Sequence, residues 1–144
     1  MECEENRNRD LLVNILKEVL EQDREVLFAY LYGSSAFNPF QPESDIDVAV
    51  YLKPSDTEGY IRKERALLAI LITKLHNDRI DLRILNTCPF LLQYNIIKDG
   101  VPIIIRDEAE RVEFETRVMN RFFELKPFLN EYERMFALRI KAGV

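Results

Sequence analysis

Three aspartates and a glycine-serine pair carry the chemistry this sequence offers. Gly33-Ser34 is followed, ten residues on, by Asp45-Ile46-Asp47, and Asp81 stands in the middle of RIDLRIL. On a strand, alternation turns Asp45 and Asp47 to one side, with Cα atoms roughly 6–7 Å apart. Ile46, Val48 and Val50 then face the core. Asp81 repeats the arrangement, backed by Ile80, Leu82 and Ile84. On neighbouring strands the three carboxylates would converge and repel, pushing their pKa values up. A cation offsets that repulsion. Hard oxygen donors at this density suit Mg²⁺, held between carboxylates, waters and a substrate's phosphates. Two such ions about 4 Å apart can stabilise the entering and leaving oxygens of a phosphoryl-type displacement. Gly33, Ser34 and Ser35 supply the complement. Glycine permits close backbone approach, N–H groups at a turn or helix start bind phosphate oxygens, and the Ser34 hydroxyl adds a hydrogen bond. An acidic metal site beside such a cradle is the layout expected for a nucleoside triphosphate.

Positioning these residues requires strands at 25–32, 45–52 and 79–85. The first is a short apolar, aromatic-rich run stopped by Gly33, and the other two alternate in character. Helical spacing of Leu12, Ile15, Leu16, Val19 and Leu20 predicts a helix over 10–22, and a second covers 60–76 with Ser55 or Asp56 as its cap. A third helix spans 89–98, capped by Thr87 or Cys88 and closed by Gly100. A fourth strand, 101–106, carries Pro102 near its start and belongs on an edge. The segment 108–142 is helical, with Pro127 expected to kink or split it near 124–126. Its seam of Val118, Phe122, Leu125, Leu129, Tyr132 and Phe136 is expected to pack mainly on the chain's own sheet. The order predicts an α/β (α+β) fold: a mixed four-stranded sheet with packed helices in a single domain over 1–144, its core at 10–106.

Composition narrows the class. The 144 residues are 47% hydrophobic and 31% charged, a globular and not a disordered balance. A net charge of -5 lacks the basic footprint of a nucleic-acid binder. The apolar run at 66–73 is far too short for a membrane span, and the acidic start Met1-Glu2-Cys3-Glu4-Glu5 is no secretion signal. Cys3 and Cys88 form no disulfide framework, so a reducing cytoplasm is the simplest compartment. His76, at a polar helix end, reads as a surface or capping residue, and a structural ion pair of Asp81 with Arg79 or with Arg83, which shares its strand face, is the lesser alternative to a metal-binding role. Lys53, Arg62, Lys63 and Arg65 read as solvated charges before phosphate ligands.

GSSAFNPFQPESDID resembles the G-S-(ten residues)-D-x-D signature of the polymerase-β-like nucleotidyltransferase superfamily, and Asp81 resembles its third carboxylate. With its length and its terminal helices, the chain is most similar to the minimal nucleotidyltransferase (MNT) proteins, antitoxins paired with a HEPN-domain ribonuclease toxin. The resemblance implies adenylyl transfer. Gly33 and Ser34 would bind the β/γ-phosphates of Mg²⁺-ATP, Asp45 and Asp47 would hold the metals, and Asp81 would complete the second site and help deprotonate the acceptor. That acceptor would be a tyrosine of the HEPN partner in a hetero-oligomer. Many relatives carry an Arg and a second Gly where this chain has Ser35, Ala36, Phe37 and Asn38. A binding-only antitoxin with a vestigial site, or a transferase acting on a small hydroxyl compound such as an aminoglycoside, are the alternatives. The second needs an extra wall for its acceptor that this length does not supply.

Overall fold

The computed structural model describes residues 2–33 and 45–143. The chain runs α1 (Glu2–Glu21), β1 (Val26–Tyr32), β2 (Ile46–Leu52), α2 (Thr57–Leu75), β3 (Ile80–Ile84), α3 (Phe90–Asp99), β4 (Val101–Ile105) and α4 (Glu108–Lys141). The strands form one mixed sheet in the order β3-β2-β1-β4. β1 is antiparallel to both β2 and β4, and β2 is parallel to β3. This is the expected architecture, with β4 on the predicted edge.

Strand burial follows position in the sheet. Central β1 is apolar throughout because helices cover both its faces. Leu31, Val48, Val50 and Leu82 pack with Leu12, Leu16 and Leu20 of α1 and Leu67 and Leu71 of α2. On the opposite face Phe28, Tyr30 and Ala49 pack with Ile96 of α3 and Phe114 and Val118 of α4. Phe28 and Tyr51 stack there with ring centroids 4.5 Å apart. The Tyr30 hydroxyl donates to Glu115, fastening α4 to the sheet. Edge strand β3 alternates strictly, burying Ile80, Leu82 and Ile84 and exposing Asp81 and Arg83.

Several boundaries moved, each for a local reason. α1 begins at Glu2, well before its first buried residue, Leu12, and those added turns are polar. α2 begins at Thr57 because Asp56 caps it, its carboxylate accepting from Gly59 N at 2.8 Å. α3 lacks the expected side-chain cap. Thr87 closes a 3-10 turn at Leu85–Thr87, and both Thr87 Oγ1 and Cys88 Sγ donate to the Ile84 carbonyl, leaving Pro89 at the cap position. Gly100 ends α3 by close approach, its N–H donating to Ile96 O at 2.7 Å. His76 is the C-cap of α2, at φ 50°. Pro127 does not split α4, which continues through it as one 34-residue helix. The seam packs on the sheet only in its first part: Val118 is buried and Phe122 stacks on Tyr94 at 3.6 Å, while Tyr132 is 71% and Phe136 56% exposed.

Asn86 fastens the far end of β2. Its Oδ1 accepts from Leu52 N and its Nδ2 donates to Leu52 O, both at 2.9 Å. In urea unfolding, Asn86→Ala is expected to lose about 1–3 kcal/mol, since both backbone groups then lose a half-buried partner.

Candidate active site at the strand ends

The sheet brings three strand ends to one place: β1 leaves there and β2 and β3 begin. Tyr32 is in register with Asp47 across the antiparallel pair, and Asp47 with Asp81 across the parallel pair. The three side chains therefore form a row on the sheet face shared with α3 and α4, with about 4.8 Å between strands. Asp45 immediately precedes β2 and is exposed. The Ile46 N–H donates to Arg79 O at 2.8 Å, fixing the start of β3 against β2.

Gly33 follows Tyr32 with φ +69°, where a Cβ would collide with the Asp47 carboxylate. Two requirements, the left-handed backbone and the empty Cβ position, thus demand glycine here. Ser34 and Ser35 lie outside the described residues.

The electrostatics follow from the crowding. Burial first, and then the negative charges of Asp81 and Asp45, raise the Asp47 carboxyl to about 6, with Arg83 opposing them. Burial, Asp47 and Asp81 likewise push the Tyr32 phenol upward, so it stays protonated as a donor. Arg83 Nε donates to Asp81 Oδ2 at 3.2 Å, the ion pair weighed as the alternative to a metal-binding Asp81, with both side chains about half exposed. Burial raises the Cys88 thiol beside this pair, and Arg83 opposes that shift. A cavity of about 310 Å³ opens there, lined in part by Glu64, Asp81, Arg83, Thr87 and Cys88.

Among the described residues, no three His, Cys, Asp or Glu side chains are gathered closely enough to hold a metal ion. Asp81 is engaged by Arg83 instead. The donor set still suits a hard dication: carboxylates on adjacent register positions, whose repulsion a cation would offset. The basic residues early in α2 divide between one ion-paired lysine and two exposed arginines. Lys63 bridges Asp23 at 2.8 Å and Glu25 at 3.0 Å, and Arg62 and Arg65 are exposed. Sequence reasoning missed Tyr32. Its signal was its place just before Gly33, since a hairpin-paired β1 and β2 puts that residue opposite Asp47.

The sequence model of the polymerase beta nucleotidyltransferase family matches residues 14–109. No curated protein matches. Among solved structures, a mutant of the toxin-antitoxin MntA-HpeT has 17% identity and a TM-score of 0.63, covering 84% of this chain and 98% of that one. A toxin-antitoxin structure with AMP-PNP has 19% identity and a TM-score of 0.64 over the same shares, 84% and 98%. The tri-AMPylated Shewanella oneidensis HEPN toxin in complex with MNT antitoxin has 16% identity and a TM-score of 0.53, covering 90% and 98%. At these identities the likeness is one of fold. The family model spans α1 to the start of α4, including the whole sheet and its row of acids, and the chain belongs to the polymerase beta nucleotidyltransferase family.

Proposed function

We propose that the protein is an antitoxin that transfers AMP from ATP to a hydroxyl, a tyrosine's in this reading, of a HEPN ribonuclease toxin, and so silences it. The observation that carries the proposal is the row of Asp47 and Asp81 in register beside Gly33. Family membership supports the reaction class. The partner is supported by the solved structures of like fold, a toxin-antitoxin with AMP-PNP and a tri-AMPylated HEPN toxin with its MNT antitoxin.

In this reading Asp45 and Asp47 hold Mg²⁺ and Asp81 completes the set. The ions, when bound, neutralise the triphosphate and polarise the reacting phosphate. Gly33, Ser34 and Ser35 cradle the β- and γ-phosphates through backbone N–H groups and the Ser34 hydroxyl. Asp81 takes the proton of the acceptor hydroxyl. The acceptor oxygen then bonds to the α-phosphorus, the α–β bridging P–O bond breaks, and pyrophosphate leaves. Asp81 and Arg83 stand about half exposed, so an acceptor side chain presented by another protein can reach them. The whole chain then acts as one domain, and its two free cysteines suit the reducing cytoplasm. No described helix is long and apolar enough to cross a membrane.

A second reading, binding-only neutralisation, is favoured by one observation: Arg83 already neutralises Asp81 without a cation. The decisive experiment incubates the protein with its HEPN partner, ATP and Mg²⁺. The expected result is a mass gain of one or more AMP groups on the partner. Asp45→Asn with Asp47→Asn is expected to cut the transfer roughly a hundredfold or more, since several kcal/mol of charge stabilisation is lost. Unchanged neutralisation by that double variant selects binding alone.

Arg83 competes with a cation for Asp81 in this reading. Arg83→Gln is therefore expected to bind Mn²⁺ several-fold more tightly than the parent in the absence of nucleotide, read by electron paramagnetic resonance of free Mn²⁺. Weaker or equal binding counts against the competition.

The raised Asp47 pKa also sets a sign for stability. Its folded value of about 6 exceeds the ordinary aspartate value of 3.8, so the folded state holds the proton more tightly than the unfolded chain. Without metal, this group's contribution to stability falls as pH rises from about 4 through 6 and stays lost above. Asp47→Asn is expected to raise the metal-free melting temperature at pH 7–8, with the gain vanishing near pH 3.5, as read by thermal scans.

A further inference from the structure

We propose that the outer half of α4 is a self-association surface, pairing antiparallel with the same segment of a second copy. The face that buries Phe114 and Val118 against the sheet continues along the helix after the sheet has ended. Phe128 is 72%, Tyr132 71%, Met135 51% and Phe136 56% exposed, with Ile140 close to the same stripe at 62%. At 1.5 Å per residue, the stretch from Leu125 to Lys141 is about 25 Å long. Its exposed apolar side chains offer roughly 700 Å² per copy, close to one side of a standard interface. A patch of that size does not stay bare on a soluble monomer without a reason. The surface lies outside residues 14–109, so the shared chemistry of the family does not require it.

Charge selects the occupant and the direction. Residues 124–133 carry Glu124, Glu131 and Glu133 against one base, Lys126, whereas residues 134–141 carry Arg134, Arg139 and Lys141 and no acid. A parallel partner copy would set like charge beside like. An antiparallel one sets the acidic part of each helix along the basic part of the other, the arrangement an isologous two-fold contact demands. Glu131 bonds Arg134 of its own helix at 2.7 Å in the single copy, and turning it to Arg139 of the other copy places the axis near Met135, in the middle of the exposed stripe. Tyr132 and Phe136 then lie on either side of that axis and fill the seam. Pro127 stands where the helix passes from its covered to its uncovered half.

The proposal stands independently of the transferase reading and is tested on the full chain without nucleotide or partner. Sedimentation across a concentration series is expected to show a monomer–dimer equilibrium. Tyr132→Glu with Phe136→Glu is expected to yield a monomer at every concentration, with the melting temperature the parent shows at dilutions where it too is a monomer, since both side chains are exposed in the single copy. Arg139→Glu alone is expected to weaken the dimer tenfold or more, and adding Glu131→Lys to restore it. A monomer at all concentrations overturns the proposal, as does a dimer indifferent to the two glutamates or a charge swap that fails to rescue. So does protection of the stripe in hydrogen exchange only when a different protein is added, which would assign it to a heterologous partner.

Discussion

Repulsion between carboxylates held in adjacent register is the constraint around which the strand-end site is arranged. β2 and β3 run parallel with Asp47 beside Asp81, so the sheet itself fixes their proximity and no side-chain rearrangement relieves it fully. The protein answers at three points. Arg83, two residues along the same strand, neutralises Asp81. Asp47 takes up protons more readily than an ordinary aspartate. Tyr32 flanks Asp47 as a phenol whose own ionisation the two acids suppress. Hydrophobic burial on the other side of the same strands holds these like charges together, since Ile46, Val48, Leu82 and Ile84 are core residues that cannot move without opening the sheet.

Gly33 connects this electrostatic problem to the backbone. A side chain there would meet the Asp47 carboxylate, and its φ is one that other residues adopt at a cost. The residue that ends β1 is thereby set by the acid across the hairpin as well as by the turn. This coupling makes Gly33 and Asp47 one unit: changing either disturbs the geometry of the other, whatever ligand the site holds.

The sheet was legible because its strands differ in burial. A run apolar on both faces marked β1 as a buried strand, strict alternation marked β3, and β2 alternated about Asp47 before its buried Val48, Ala49 and Val50. Asp81 and Arg83 could be assigned to one face from period two alone, which left their pairing as an alternative to metal binding. Helix ends were less legible, because they depend on a few local hydrogen bonds. Asp56 was a visible cap, but the use of Thr87 and Cys88 in a 3-10 turn depends on the Ile84 carbonyl becoming available there, which spacing does not encode. Tyr32 was missed because its role comes from cross-strand register. The α4 seam was read correctly as an apolar stripe but misassigned in its second half, because periodicity reveals which residues share a face and not how far the sheet beneath them extends.

That last difference separates two roles of one helix. Up to Phe122, α4 is part of the core: Phe114 lies against Phe28 and Tyr51, Glu115 accepts from Tyr30, and Phe122 stacks on Tyr94. Beyond Pro127 the same stripe has no sheet to cover, yet it keeps its aromatic content and its ordered division of charge. Tertiary packing supplies most of a helix's stability in water, so an apolar extension left exposed, with no described residue covering it, carries that surface without return. Its two features have separate explanations if it pairs with itself. The apolar stripe provides the contact area, and the reversal of charge along it distinguishes antiparallel from parallel pairing. A surface shaped only for a generic apolar partner would have no need of the second feature.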